Sequence, residues 1–193
     1  IENIDLIKLA KDLEKYNIKR YRFLEWDTKR CPNELRRPTF PELYSTNKLL
    51  INALGSLKVS IDLNAEFYCE QQVRMALLWK DLANVSNKSI TSSIRKFSKM
   101  KRNEMEQLSR TIDLRFLLGI LNSRYSTLLL ADIRGGDYHI VPEHIRNIPI
   151  PNATQEQQSS IINLVDKILV IKKTYPEADI SDLENRIDLF VYK

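Results

Sequence analysis

A proline-rich strip that runs directly into a helix constrains the fold of this chain more than any other feature. Pro149 and Pro151 hold the backbone extended, because proline fixes its own φ and disfavours helix at the residue before it. Thr154 and Gln157 then match the capping box that opens a helix. The apolar residues beyond them share one helical stripe, at spacings of three, four and three: Ile161, Leu164, Ile168 and Ile171. The pattern predicts that a compact domain ends near residue 153 and a helix begins there.

An alternating pattern in the middle of the chain predicts an antiparallel sheet. One side of the first strand carries Leu57, Val59 and Ile61, and the other side carries Lys58, Ser60 and Asp62. The alternation then repeats at Val73, Met75, Leu77 and Trp79. Turn residues at 55–56 and 62–65 separate the strands. We therefore expect a half-buried sheet, with Lys58 and Arg74 opposite its core-facing side.

Helical spacing accounts for most of the remaining chain. It predicts helices over residues 5–15, 88–108, 113–131, 154–174 and 181–193. The proline-containing stretch 31–41 is predicted to be irregular, with a short helix possible at 41–45. Lys101 falls on the apolar side of the helix over 88–108, where it either extends its stem to water or marks a break. The Gly135-Gly136 pair predicts a turn before a short strand at 138–141, and Ser181 with Glu184 matches a second capping box.

These elements predict an α+β fold: a central antiparallel sheet with packed helices, followed by a C-terminal helical hairpin or the start of a coiled coil. We expect three segments. Residues 1–30 form an N-terminal helix and linker, 31–153 the main domain, and 154–193 the C-terminal helices. The chain starts at Ile1 rather than Met, and its last helix is predicted to be cut short, so we expect a longer parent protein.

Composition narrows the class of protein. The net charge of +5 and pI near 9.1 favour an anionic partner. Lys and Asp interrupt every apolar stretch before it reaches the length of a membrane span, so we expect no membrane association. Cys31 and Cys69 form no dense framework and no Cys-x-x-Cys motif, which favours a reducing cytoplasm.

Three segments, taken in order, resemble a known family. They are the predicted strands within 48–79, the sequence Leu-Leu-Gly-Ile-Leu-Asn-Ser within 114–123, and a C-terminal segment within 141–169. The last segment contains Ile-Pro-Ile-Pro followed by a helix with the sequence Leu-Val-Asp-Lys-Ile-Leu. Together, over residues 36–193, they resemble the C-terminal specificity domain of TaqI-like adenine DNA methyltransferases and fused restriction–modification enzymes.

The resemblance implies a division of labour between this chain and a catalytic region. Residues 31–153 would be the target-recognition domain, its partners being double-stranded DNA and a methyltransferase domain upstream. The family methylates adenine with S-adenosylmethionine, and some members also cleave DNA.

The residues that such catalysis needs are not found in the sequence. An Asn-Pro-Pro-Tyr-type tetrapeptide is absent, and Gly135-Gly136 lacks the strand-to-helix context of a nucleotide-binding turn. His139 and His144 straddle Pro142 and have no third ligand at a convincing spacing. We therefore expect that this chain alone is not an enzyme and holds no metal or cofactor, S-adenosylmethionine belonging to the catalytic domain.

Basic side chains supply the candidate DNA contacts. On the predicted helix over 88–108, one face carries no carboxylate until Glu106 and has the form of a phosphate-binding surface: Arg95, Lys96, Lys99 and Arg102. Lys58 and Arg74 could reach a groove from the sheet. Arg134, His144 and Arg146 flank the glycine turn and the proline strip, at loop positions where base readers often lie. Each of these side chains could equally be ordinary solvated charge.

Two rival functions fit the same sequence. The first is a recognition domain of the specificity subunit of a multi-subunit restriction system, although such subunits carry two recognition domains and one is visible here. The second is a helical protein-interaction module whose apolar stripes dock a partner helix. Salt-dependent binding to duplex DNA distinguishes the protein-interaction module from both kinds of DNA-recognition domain.

Overall fold

The structure is a computed structural model that describes residues 4–7, 13–19, 22–24, 41–69, 72–96 and 99–192. Eight strands come first in these residues: β1 Ile4–Ile7, β2 Leu13–Glu14, β3 Asn17–Ile18, β4 Arg22–Leu24, β5 Lys48–Asn52, β6 Val59–Asp62, β7 Phe67–Cys69 and β8 Val73–Ala76. Seven α-helices follow: α1 Lys88–Lys96, α2 Arg102–Arg110, α3 Leu114–Asn122, α4 Arg124–Arg134, α5 Pro142–Arg146, α6 Gln155–Thr174 and α7 Ser181–Val191. Short 3-10 helices lie at Pro41–Leu43 and Trp79–Leu82. The α+β class is confirmed.

The central sheet is antiparallel, as predicted, in the order β6-β5-β8. Ile51 of β5 lies opposite Val59 on one side and Arg74 on the other. The outer edge of β6 is closed by the side chain of Asn122, which hydrogen-bonds both the N–H and the carbonyl of Val59 at 3.0 and 2.9 Å. At Val59 this edge is therefore not open to another strand.

Both faces of the sheet are covered, so the prediction of a half-buried sheet is wrong. The helix-side face carries Leu49, Ile51 and Val59, which pack in the main core. On the opposite, hairpin-side face, Ser60 and Asp62 are each only 2 % exposed. A second apolar cluster around Leu13 and Leu50 lies on that face, where β2, β3 and β7 cover it. The alternating sequence pattern predicts which residues share a face of the sheet, but not which elements pack over that face.

A buried ion pair joins the strands on the hairpin-side face. Lys48 Nζ lies 2.6 Å from Asp62 Oδ2, and both side chains are almost completely buried. Lys48 also donates to the carbonyls of Tyr44 and Thr46, and Asp62 accepts the backbone N–H groups of three residues in the following turn: Asn64, Glu66 and Phe67. Such a pair is tolerated in the interior because its remaining hydrogen-bonding groups are satisfied.

The N-terminal segment is extended, so the predicted helix over 5–15 is wrong. β1 pairs antiparallel with β4 and parallel with β7, while β2 and β3 form a hairpin. The hairpin turns at Tyr16, whose φ is +60°, and the Asn17 side chain accepts the N–H of Ile18. Apolar residues in so short a run fit either periodicity, and pairing with the sheet decides between them. Residues 8–12 lie outside the described residues, as does Cys31.

Two predicted long helices are each divided in the structure. The predicted helix over 88–108 ends at Lys96, and α2 starts after Lys101, whose backbone N–H donates to Glu104. The helix predicted over 113–131 divides at Ser123, whose extended backbone ends α3 and whose hydroxyl caps α4. Lys101 therefore marks a break, one of the two alternatives that its position left open.

α3 and α6 pack so closely that glycine is required between them. A Cβ on Gly119 would lie 2.6 Å from Ile161 Cγ2. The predicted capping box of α6 is confirmed: Gln157 N–H donates to Thr154 Oγ1, and Thr154 N–H to Gln157 Oε1. Buried Gln158 then fastens the proline strip, donating to Ala153 and Thr111 and accepting from Asp113 N–H.

The C-terminal helices share the main core with the sheet. Ile161, Leu164 and Ile168 of α6 and Ile187 of α7 belong to the cluster that contains Leu49 and Val59. The α6–α7 helix pair is confirmed, but the predicted capping box at 181–184 is wrong, since Asp179 accepts the Ser181 N–H. No helix among the described residues is long and apolar enough to cross a membrane.

Candidate nucleic-acid interface

Two loops at one end of the sheet are held together by hydrogen bonds, and we call residues 53–58 and 134–140 the loop pair. Asn52, at the end of β5, organises the first loop: its amide nitrogen donates to Leu54 and Ser56 carbonyls, and its oxygen accepts Lys58 N–H. Because Asn52 is buried, this turn is fixed from inside the protein.

The second loop is fastened to the first through the backbone. Gly55 N–H donates to the Tyr138 carbonyl at 3.0 Å, and Ile140 N–H to the Ala53 carbonyl at 2.8 Å. The strand predicted at 138–141 is present only as a single bridge between Leu54 and His139. Gly135 and Gly136 make the predicted turn with φ of +57° and +93°. Backbone hydrogen bonds therefore join the two loops into one unit.

Arg134 belongs to this unit. Its Nη1 donates to the Gly55 carbonyl. The sequence placed Arg134 among the candidate base readers, but part of its guanidinium is engaged in joining the two loops. Its role in the structure is to position the loop pair.

Basic side chains from α1 and α5 meet beside the loop pair. The carboxylate of Glu143 lies 3.2 Å from Lys96 Nζ and 2.8 Å from Arg146 Nη1. The hydrogen bond from Lys96 holds the pKa of the Glu143 carboxyl below its usual range. One carboxylate therefore links two of the predicted DNA-binding residues from separate parts of the sequence.

Three more of the candidate residues lie near Lys96 or Arg146 in the sequence: Arg95, Lys99 and His144. Arg95 and Lys99 are exposed, and the His144 ring accepts the Val141 N–H at 3.3 Å at the start of α5. We call the exposed cations Arg95, Lys96, Lys99 and Arg146 the basic patch. Glu143 offsets part of its charge.

The prediction that Arg102 belongs to the same basic surface is wrong. The helix breaks before it, and its Nη2 donates to three carbonyls beyond the 3-10 helix at Trp79–Leu82: those of Leu82, Ala83 and Val85. Its Nε also pairs with Glu106 at 2.7 Å. These bonds tie the end of that 3-10 helix and the turn after it to α2, so Arg102 has a structural role.

Lys58 and Arg74 do not lie on a solvent-facing side of the sheet. Lys58 pairs with Glu14 of the hairpin at 2.7 Å. Arg74 lies opposite Ile51, so it is on the helix-side face and is partly buried. The structure brings neither residue to the basic patch.

The residues with possible catalytic or metal-binding chemistry lie in ordinary structural surroundings. The described part of the chain contains no group of three His, Cys, Asp or Glu side chains that could hold a metal ion. Burial raises the pKa of the Cys69 thiol to about 12, which suppresses the thiolate. His139 contacts Asp137 at 3.2 Å, an ordinary turn contact.

Sequence reasoning missed three residues that shape this surface: Asn52, Tyr138 and Glu143. Asn52 comes at the end of an apolar run that predicts a strand. The signal in the sequence that a turn follows it is Gly55, three residues later. Tyr138 was assigned to a strand, although its side chain is 64 % exposed. Glu143 sits 47 residues from Lys96, a separation at which no helical spacing applies.

Comparisons with known proteins add no family. A scan against protein-family models finds no match, and a search of curated proteins also finds none.

Proposed function

We propose that this chain recognises double-stranded DNA as the specificity domain of a bacterial restriction–modification adenine methyltransferase. In this proposal the basic patch holds phosphates and sets the register, while the loop pair reads base edges. Methyl transfer, with S-adenosylmethionine, belongs to a separate catalytic domain that flips the target adenine. The chain by itself has no enzymatic role, and the proposed location is the cytoplasm.

The observation that carries the proposal is the proximity of the basic patch to the hydrogen-bonded loop pair. Lys96 and Arg146 come from different helices to the same carboxylate, and α5 follows the second loop directly. Rigid elements hold recognition groups in place at a lower entropic cost than flexible loops do. The net charge of +5 and the resemblance over residues 36–193 also support DNA as the partner.

Fluorescence anisotropy with a labelled duplex over a salt series tests the proposal. Each phosphate neutralised contributes about 0.9 to the slope of log affinity against log salt. Converting Arg95, Lys96 and Lys99 to Gln should weaken binding to every duplex and lower the slope by up to about 2.7.

The matched control converts Lys167, Lys173 and Arg186 to Gln. These three cations are exposed on α6 and α7, so the control removes the same net charge elsewhere. The proposed phosphate contacts are wrong if both triple variants lower the slope equally. Absence of duplex binding by the unsubstituted protein contradicts the function itself.

One observation favours the second class, a protein-interaction module. Several large apolar side chains on α7 and just beyond it are exposed: Leu189, Phe190 and Tyr192. Phe190 lines a cleft of about 520 Å³ with residues of α3 and the start of α6. If duplex binding fails while a partner protein protects α7 from hydrogen exchange, this second function replaces the first.

A further inference from the structure

We propose that Tyr138 is a specificity-determining residue that contacts base edges in the DNA groove. The inference rests on the proposed function and assigns a reading role within the loop pair to a residue that carries no charge.

The backbone on both sides of Tyr138 is fixed. Its carbonyl accepts Gly55 N–H, and Ile140 N–H bonds Ala53 two residues further on. The ring itself lies against Gly55: a Cβ at that position would meet Tyr138 Oη at 3.5 Å and two ring carbons at 3.8 Å. Gly55 has a φ of +79°, so a residue with a side chain would be strained there. The ring is thus presented at a defined place.

The Tyr138 side chain lies against Gly55 and is still 64 % exposed, so much of it is open to a partner. Tyrosine has few rotatable bonds, so ordering it on a partner costs little conformational entropy, and its ring contributes a large apolar contact. Gly135 and Gly136 precede it, and a Cβ at either position would have no atom within 4 Å. Bare backbone beside the ring lets a partner surface approach closely.

The local charge favours bases over phosphates as the contact. Asp137 precedes Tyr138, and its hydrogen bond from the His139 backbone lowers the pKa of its carboxyl, so it is ionised at neutral pH. A carboxylate repels phosphate but can accept a hydrogen bond from the cytosine amino group. The Tyr138 hydroxyl both donates and accepts, and its ring can contact a thymine methyl group. The phosphate contacts are left to the basic patch.

The test is selection from a duplex library with a randomised centre, read by sequencing, followed by anisotropy on the preferred and a scrambled duplex. For Tyr138→Ala, the ratio of the two affinities should fall by about 5- to 150-fold, the equivalent of one good base contact. The salt slope should not change, because no phosphate contact is removed. Tyr138→Phe keeps the ring on Gly55 and removes only the hydroxyl. Its ratio of the two affinities should fall by less than that of Tyr138→Ala.

Tyr175→Ala is the matched control, since this tyrosine is 68 % exposed on the turn between α6 and α7. It should leave both the ratio and the slope unchanged. If the unsubstituted protein prefers a sequence and both Tyr138 variants keep that preference, the role of Tyr138 is wrong while the function stands. An equal loss with Tyr175→Ala also overturns the role. If the unsubstituted protein does not bind duplexes, the function fails, and this inference fails with it.

Discussion

The helix-side face of the central sheet carries Leu49, Ile51 and Val59, whereas the hairpin-side face carries Lys48, Ser60 and Asp62 at the same depth of burial. The first face is stabilised by non-directional apolar contact with the helices, so its stability scales with the area buried. The second combines a smaller apolar cluster around Leu50 with one ion pair, whose hydrogen bonds lose most of their value when one partner is removed. Equal burial therefore conceals different responses to substitution.

Breaking the ion pair is expected to have the largest effect. Lys48→Met should lower the free energy of unfolding by about 3–5 kcal/mol, because it leaves the Asp62 carboxylate buried without its cation. Urea denaturation measures this. Adding Asp62→Asn should recover part of the loss, since the amide oxygen still accepts backbone N–H groups without a charge. If the double variant is as unstable as the sum of the two single ones, the two side chains act independently and the contrast between the faces is wrong.

The helix layer over the helix-side face should respond through cavity formation. Ile168→Ala should cost about 2–5 kcal/mol, because Ile168 is fully buried in the main core. Val170 on the same helix is 67 % exposed, and Val170→Ala should change the free energy of unfolding by less than about 0.5 kcal/mol. Thermal or urea unfolding of both variants gives the comparison. Similar losses at the two positions would mean that α6 is covered on both sides.

The smallest expected loss in the free energy of unfolding comes from removing the N-cap of α6. Thr154→Ala removes the acceptor for Gln157 N–H and should cost about 1 kcal/mol. Thr174→Ala, at the other end of the same helix, removes a hydroxyl that caps no N–H and is the matched control. An equal cost at both ends would show that α6 does not depend on its capping box.

Local sequence patterns predicted those parts of the fold that depend on residues close together in the sequence. The capping box at Thr154, the α6 stripe and the antiparallel sheet all follow from short-range chemistry and are confirmed. The covered hairpin-side face was not predictable, because its cover comes from β2, β3 and β7, and the predicted helix over 5–15 included all of β2. The alternation of side chains is a property of one strand, while burial depends on what packs over each face.

The candidate site was predicted less completely, for a similar reason. Lys96 and Arg146 were named from sequence, and the structure brings them to Glu143. Arg102 was placed on the same face by helical angle alone, and the break before α2 removed it. Its partners in the structure are the carbonyls of Leu82, Ala83 and Val85. These residues lie outside the segment 88–108, so the helical periodicity of that segment could not reveal them.

The docking of the β2–β3 hairpin has a consequence for the order in which the protein is completed during synthesis. Tyr16 at its turn is buried in the main core, and Lys15 pairs with Glu184, which lies 169 residues further along the chain. At about 5–20 residues per second, a ribosome needs roughly 8 to 34 s to add those residues. The hairpin therefore waits for α7 before its own contacts are complete. Until then the Tyr16 ring and the surface beneath it are exposed to chaperones and to other nascent chains.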